Sequence, residues 1–355
     1  MPFITVVSST ITIKRFSVKA SYNTKHIVTL VFVLIVGSLF TTGLYAADYK
    51  APRMADGSPD LQGIWKNATA TPFSRPSEFG NRQAFTKEEA EALSAAAVKK
   101  VADDAKPTDP NAPAPKAEPL PPVGNYNLFW TDRGMNATYI NGEYRTSILI
   151  DPPNGQMPGI KKSAREIMSS RRNGPNRNDG PEGRGLGDRC LLSFGSSGGP
   201  PMLPVMYNSH YQIIQSEDTV AILVEMVHDV RMIRIGKNLK HDSRKKWMGD
   251  SIGHWQGDTL VVETVGFRSE QSFRGSSPNM KVTEYFTRVA DDKLVYRFTV
   301  NDPDAFEAPF TGELAFSGVD EIIYEYACHE GNYALEGILN GARREEKLKA
   351  ERDRQ

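Results

Sequence analysis

Histidine is rare in this chain: the 355 residues contain six, and one of these is His26 near the start. None of the six has the H-x-H or H-E-x-x-H spacing with which nearby residues hold one metal ion. Only His228 and His329 could converge on a metal, and they are far apart in sequence. We therefore expect no metal site and no cofactor.

Acidic residues are absent from the first 47 positions, which carry basic residues and then an apolar run at 27–47. A basic segment, an apolar run and then the small residues Ala46 and Ala47 are typical of an export signal. We expect cleavage near Ala46 or Ala47, and a periplasmic or secreted bacterial protein. Small and polar residues interrupt the second half of the run and favour cleavage over an uncleaved membrane anchor. An uncleaved segment would be the chain's only predicted contact with a membrane.

An excess of basic charge is also lacking, since lysine and arginine total 43 and aspartate and glutamate total 43. Without the basic signal segment the rest of the chain is mildly acidic, so we expect no nucleic-acid partner. The composition, 39% hydrophobic and 24% charged, is that of a globular protein. We treat residues 48–355 as one domain.

Cysteine occurs only at Cys190 and Cys328. In an exported protein such an even pair is more often a disulfide than two free thiols, so we predict a bridge between them. Two buried thiols are the alternative. A bridge would close a long loop of the chain.

Helices are predicted in three places. A capping-box sequence before a run of strong helix formers predicts a helix at 87–104. A short basic helix is expected at 161–172, and a C-terminal helix should begin near Asn332 and pack one apolar face on a sheet. The prolines between residues 106 and 124 exclude helix and most strand pairing, which predicts an extended surface connector.

Short strand-like runs dominate the rest of the chain from residue 210 onward, with turn signals between them. The runs are 210–215, 219–226, 230–235, 252–255, 259–265, 281–289, 294–300, 310–316 and 321–328. One further strand is expected at 61–67 and another within 144–155. So many short strands favour closure over one flat sheet. We predict a mainly β protein with an antiparallel β-barrel, an inserted helix and a C-terminal helix; a sandwich is the alternative.

The stretch EMVHDVRMIRI places ionisable residues inside a strand-like run. If one strand ran through it, His228 would share the inward apolar face, and Asp229 and Arg231 would be paired neighbours on the other face. A turn at 227–229 would break this alternation. His228 is then either a core histidine bonded to a carbonyl group or a titratable group that faces a ligand cavity.

The stretch YEYACHEGN contains a second candidate, His329. Strand alternation would place Glu325 and His329 on one face, where the carboxylate could orient the imidazole as a general base. Tyr324 and Tyr326 would lie on the opposite face and could supply hydrogen bonds to a ligand.

Two sharper motifs lack the context that they need. GSSGG matches the Gly-x-Ser-x-Gly pattern with Ser197 as the nucleophile, but Pro200 and Pro201 follow where a helix is required. GRGLGD likewise lacks the strand and helix of a dinucleotide-binding loop. WMGDSIGHWQGD is read as a hairpin, in which Trp247 could close one end of a cavity.

The order of the motifs PDLQGIW, YRTSILIDPPNG, EMVHDVR and YEYACHEGNY resembles that of a large family of exported bacterial proteins. This resemblance covers most of the mature chain and implies no particular activity. Gly63 and Trp65 in the first strand, with many strands and a terminal helix after them, are also similar to the calycin or lipocalin plan. That likeness implies a barrel with a ligand pocket.

We therefore predict an exported β-barrel that binds a small, largely apolar or aromatic molecule and performs acid–base chemistry on it as a lyase, isomerase or cyclase. The candidate catalytic residues are His228, His329, Glu325 and Asp229. The candidate ligand-binding residues are Tyr324, Tyr326, Arg231, Trp247 and Met226. A non-catalytic carrier is one alternative. The other is a hydrolase of carbohydrate or ester, whose paired carboxylates would be sought among Glu225, Glu263 and Glu284.

Overall fold

The computed structural model describes residues 49–105, 131–132, 134–193, 196–270 and 273–355. The predicted signal segment at 1–47 and the proline-rich connector at 106–124 lie outside these residues. Among the helices that can be described, none is both long enough and apolar enough to cross a membrane.

Thirteen strands and three α-helices are described. The strands are β1 (Gly63–Lys66), β2 (Ala84–Phe85), β3 (Tyr139–Ile140), β4 (Glu143–Arg145), β5 (Leu149–Asp151), β6 (His210–Gln215), β7 (Thr219–Val224), β8 (Val230–Ile235), β9 (Asp250–Gln256), β10 (Thr259–Val265), β11 (Lys281–Ala290), β12 (Lys293–Asn301) and β13 (Phe310–Gly318). The helices are α1 (Lys87–Asp104), α2 (Lys162–Asn173) and α3 (Tyr333–Arg352). The strands β2, β4 and β3 form a small separate sheet.

Nine strands close into a barrel, because β1 pairs with β6, the sheet continues in order through β13, and β13 pairs back to β1. Strand β5 pairs with the start of β13. All of these pairs are antiparallel except β8 with β9, which is parallel. The predicted β-barrel is confirmed, but it is mixed rather than purely antiparallel. The long segment 236–249 explains the difference, since a parallel pair needs a connection that returns to the starting end of the sheet.

Aromatic side chains pack the core of the barrel. The ring of Tyr296 lies 5.0 Å from that of Phe286, 5.3 Å from Phe316 and 5.7 Å from Phe298, between centroids. Trp65 of β1 belongs to the same buried cluster. The rings are tilted against one another at these distances and bury large apolar areas, so this part of the barrel is solid core rather than a ligand chamber.

One ion pair lies inside this core. Arg231 donates from Nη1 to Oε1 of Glu284 at 3.0 Å and from Nη2 to Oε2 at 2.6 Å. Tyr296 donates its hydroxyl proton to Glu284 Oε1 at 2.7 Å and accepts from the N–H of Met202 at 2.9 Å. Both oxygens of the buried carboxylate are thus bonded, which is the condition for burying a charge.

A continuous strand through EMVHDVRMIRI is not formed, and the alternative of a turn near 227–229 is the one observed. Strand β7 ends at Val224, and a 3₁₀ turn at Met226–His228 precedes β8. Val227 in this turn has φ +65°, so the faces of the chain exchange there. In β8 the side chain of Met232 is exposed and that of Arg231 is buried, the reverse of the prediction. Arg231 pairs with Glu284, a residue that was not its predicted partner.

The predicted strand at 321–328 is also wrong, because residues 319–327 are in no strand. This C-terminal segment is held by other bonds. The N–H of Tyr324 donates to Glu225 Oε1 at 3.1 Å, and that of Val319 donates to the carbonyl of Ile64 at 3.0 Å. The predicted disulfide is confirmed: Cys190 and Cys328 are bonded, with their Cα atoms 5.7 Å apart.

The three predicted helices are present. The capping box at the start of α1 is formed by Thr86 and Glu89. Asn332 caps α3, since its side chain accepts from the N–H of Leu335 at 3.3 Å. The apolar residues Leu335 and Ile338 of α3 line a cleft. The helix therefore turns this face to a cavity, where packing on the sheet was expected.

Candidate functional site

A cleft of about 960 Å³ lies at one end of the barrel. The end of β1, the start of β6 and the end of β7 meet there, because these strands are antiparallel neighbours. The C-terminal segment and the first turns of α3 form the facing wall. The lining residues used below are Lys66, Asp132, Asp188, Tyr207, His210, Glu225, Glu321, Tyr324, Glu325 and Tyr326.

The pair His210–Glu225 lies in the floor of this cleft. The Nδ1 atom of His210 is 2.8 Å from Oε2 of Glu225, and the carboxylate is almost fully buried, with its side chain 2% exposed. Its other oxygen accepts from the N–H of Tyr324 at 3.1 Å. A buried carboxylate bonded in this way fixes both the orientation of the imidazole and the nitrogen that carries its inner proton.

The turn after β7 places Glu225 in this position. The backbone N–H of Glu225 donates to the carbonyl of His210 at 3.1 Å, which continues the β6–β7 ladder by one step. Beyond it, the N–H of Val224 donates to the carbonyl of Asp229 at 2.8 Å and closes the turn. Val227 takes a left-handed φ there, which is strained for a β-branched residue and common at functional turns.

The other ring nitrogen of His210 lies on the cleft side. Its Nε2 atom is 3.0 Å from Oε2 of Glu321, whose side chain is 56% exposed. The two carboxylates therefore differ in kind. Glu225 is fixed and buried, whereas Glu321 belongs to the C-terminal segment and is open to water.

These contacts shift both pKa values. The hydrogen bond to Glu225 raises the pKa of His210 and outweighs burial and the charge of Lys66, which act in the opposite direction; Glu321 adds to the rise. Burial favours the neutral form of Glu225, but the bonds donated by His210 and Tyr324 outweigh it, and the pKa of Glu225 is lowered. The imidazole is thus poised to carry a proton at the cleft surface.

Further ion pairs and aromatic rings complete the cleft wall. Lys66 pairs with Asp132. Asp188 pairs with Arg184 at 3.0 Å. The rings of Tyr207 and Tyr326 are parallel, with 3° between their planes and 6.4 Å between their centroids.

The predicted site residues are distributed over several places. Glu325, Tyr324 and Tyr326 line the cleft together. His329 is exposed in the turn after Cys328, and the side chain of His228 lies outside the described part of the structure. The convergence of His228 and His329 therefore stays a prediction.

Four other predicted positions do not line this cleft. Met226 is buried and accepts a hydrogen bond from the hydroxyl of Ser197 at 3.5 Å. Asp229 is half-buried in the turn before β8. Arg231 belongs to the core pair with Glu284. Trp247 stacks under the guanidinium of Arg268, with 4.2 Å from Arg268 Cζ to the ring centroid.

The carboxylates considered for a hydrolase have different partners. Glu284 bonds Arg231 in the core, and Glu225 bonds His210 in the cleft. Glu263 contacts Lys281 and lies 3.4 Å from the Nε2 atom of His241. No two of them share a bonding partner within the described contacts, and their convergence stays a prediction.

A second polar cluster surrounds Asp250. This buried carboxylate accepts from Arg234 at 2.7 Å and from Lys246 at 2.6 Å, and lies 3.2 Å from His241 Nδ1. Burial acts against its ionisation, but these bonds together lower the pKa of Asp250 to about 2. Because both oxygens of Asp250 are taken, we read the cluster as a structural tie between the segment 236–249 and β9.

Sequence reasoning missed His210, Glu321 and Tyr207. His210 was seen only as the first residue of a strand, and Glu225 only as a possible hydrolase carboxylate. Glu321 and Tyr207 carry no local signal, since their partners come from distant parts of the chain.

Neither metal geometry nor relatives identify the chemistry. Within the described residues there is no cluster of three or more His, Cys, Asp or Glu side chains that could hold a metal ion. A scan against protein-family models and a search of curated proteins found no match to the chain. The cleft itself is therefore the feature that indicates a function.

Proposed function

We propose that the cleft binds a small organic molecule and that His210 transfers a proton to or from it. The observation that carries the proposal is the fixed imidazole. The Nδ1 atom of His210 is held 2.8 Å from Oε2 of the buried Glu225, and its Nε2 atom lies at the cleft surface. A general acid or base needs this combination of a fixed orientation and one accessible nitrogen.

The exposed Glu321 sets the order of events. Glu225 and Glu321 flank the imidazole and favour its protonated form. A ligand that displaces Glu321 from Nε2 meets an imidazolium, which can donate a proton. If the imidazolium has first lost its Nε2 proton to water, the ligand meets a neutral imidazole, which can act as a base. Nε2 then takes a proton from an acidic C–H or O–H group of the ligand. Return of that proton to another atom gives isomerisation, and departure of a leaving group gives elimination.

The disulfide fits a location outside the cytoplasm, where such bonds persist. We include export in the proposal, with signal cleavage near Ala46 or Ala47 and release into the periplasm or medium. A small, partly aromatic ligand suits a cleft that tyrosines line. A non-catalytic carrier would use the same cleft without proton transfer.

Solvent deuterium exchange tests the proposal. Small carbonyl and hydroxy compounds are screened against the wild-type protein by ligand-observed NMR, and each compound that binds is then incubated in D₂O. We expect loss of one C–H signal, or conversion, at a rate that falls about 10²- to 10⁴-fold in His210→Gln while binding is retained. Glu225→Gln should slow the rate as well, because the imidazole loses its fixed orientation.

His254→Gln is the matched control, because His254 is exposed on β9 and does not line the cleft. It should leave exchange unchanged. Compounds that bind wild type without exchanging, or that exchange equally fast in His210→Gln, would overturn proton transfer by His210. The first of these results would favour the carrier.

A further inference from the structure

The cleft combines parallel aromatic faces with an excess of carboxylates. Tyr207 and Tyr326 stand with their planes 3° apart and their centroids 6.4 Å apart, near the wide end of the roughly 4.5–7 Å range for aromatic pairs. Tyr324, beside Tyr326 in the chain, also lines the cleft and is 57% exposed. Three tyrosines thus line a single cavity.

The charge around these rings is negative. The lining includes five carboxylates against Lys66 and His210, and Arg184, which is not in the lining, pairs with one of them, Asp188. Lys66 is already paired with Asp132. Glu321 and Glu325 lie on the C-terminal segment on either side of Tyr324, and both are exposed to the cleft. Ring faces and carboxylates both attract cations, so two independent features select the same charge.

We propose that the ligand of this cleft is an organic cation, a protonated or quaternary amine whose charged nitrogen lies against the faces of Tyr207 and Tyr326 and is balanced by Glu321 and Glu325. This inference rests on the proposed function for the position of the binding site, but it does not require proton transfer. Anionic ligands are disfavoured because they would meet the exposed carboxylates.

The same cation would act on the proposed acid–base group. Glu321 contacts Nε2 of His210 at 3.0 Å. An ammonium group that takes Glu321 as its counter-ion removes this carboxylate from the ring and leaves Nε2 facing the ligand. Binding and exposure of the imidazole nitrogen are therefore coupled through one side chain.

Choline and its neutral isostere 3,3-dimethyl-1-butanol are matched probes, because they have the same shape and differ in charge. We expect wild type to bind choline at least tenfold more tightly by NMR titration, with an affinity that falls as salt is raised. Tyr207→Ala and Tyr326→Ala should each weaken choline about tenfold. The phenylalanine variants should retain most of the affinity, since the ring face remains.

Glu325→Gln should weaken choline and leave the neutral isostere unchanged. Tyr333→Ala is the control, because Tyr333 is 80% exposed and does not line the cleft. Equal affinity for the two probes, no detectable choline binding, or equal losses in Tyr333→Ala and Tyr326→Ala would overturn the inference. The two proposals fail separately. If neutral compounds exchange deuterium but choline is not preferred, only the proposal of a cationic ligand fails. If choline is preferred but no compound exchanges, only the proposal of proton transfer by His210 fails.

Discussion

The core pair Arg231–Glu284 gives the most severe stability prediction. Both side chains are buried, with 1% and 0% exposure. Glu284→Gln removes the negative charge but leaves the guanidinium in the core, where its Nε atom already has no partner among the described contacts. Removing one member of a buried pair costs about 3–5 kcal/mol, because the remaining charge is uncompensated. We expect a loss of this size in the free energy of unfolding.

Equilibrium unfolding in urea measures this loss. The control is Glu270→Gln, which breaks the exposed pair Arg268–Glu270 and should change stability by about 1 kcal/mol or less. The double variant Arg231→Met/Glu284→Leu removes both charges. Its loss in the free energy of unfolding should be clearly less than the sum of the losses in the single variants Arg231→Met and Glu284→Leu. A loss below about 1 kcal/mol for Glu284→Gln, or strict additivity in the double variant, would refute the reasoning.

Two further predictions concern the cleft and its covalent tie. The contact of His210 with Glu225 raises the pKa of the imidazole and lowers that of the carboxyl group. The stabilisation from this contact is therefore lost as the pH rises through the raised pKa of His210, and also as the pH falls through the lowered pKa of Glu225. The stability difference between wild type and His210→Gln should therefore be largest at about pH 5.5, between the ordinary pKa values of the two groups, and should shrink as the pH rises from there. A pH-independent difference would contradict this. The disulfide joins residues separated by 138 positions, so Cys190→Ser/Cys328→Ser should lose up to about 5 kcal/mol in urea unfolding; an unchanged midpoint would show that the bridge adds no stability.

Local signals explain what could be predicted. Helix α1 has the predicted bounds because its capping box is formed by neighbours in the chain, Thr86 and Glu89. Strands β6, β8 and β10 also have their predicted bounds, because alternation and turn residues are short-range patterns. The parallel pair β8–β9 could not be read in this way, since it depends on where the segment 236–249 returns the chain.

The two strand errors have a common cause. At Val227 a single residue with φ +65° exchanges the faces of the chain, and no glycine marks the position. The segment from 321 has strand-like composition, but its bonds go to Glu225, to Ile64 and through Cys328 to Cys190. In both places tertiary contacts override the local β preference, which is a weak signal when no partner strand is known.

The contact of His210 with Glu225 in the floor of the cleft could be inferred from the sequence more readily than the contact with Glu321 in its wall. In the β6–β7 hairpin Gln215 faces Val220 and Tyr211 faces Val224. One more step of this register sets His210 opposite Glu225. The predicted strands 210–215 and 219–226 imply this contact once they are paired, although β7 ends two residues earlier than predicted. Glu321 lies 111 positions from His210 and reaches it only because barrel closure brings the end of β13 beside β1. The buried contact of His210 with Glu225 is therefore a consequence of one local hairpin. The exposed contact of His210 with Glu321, on which ligand access to Nε2 depends, exists only in the closed barrel.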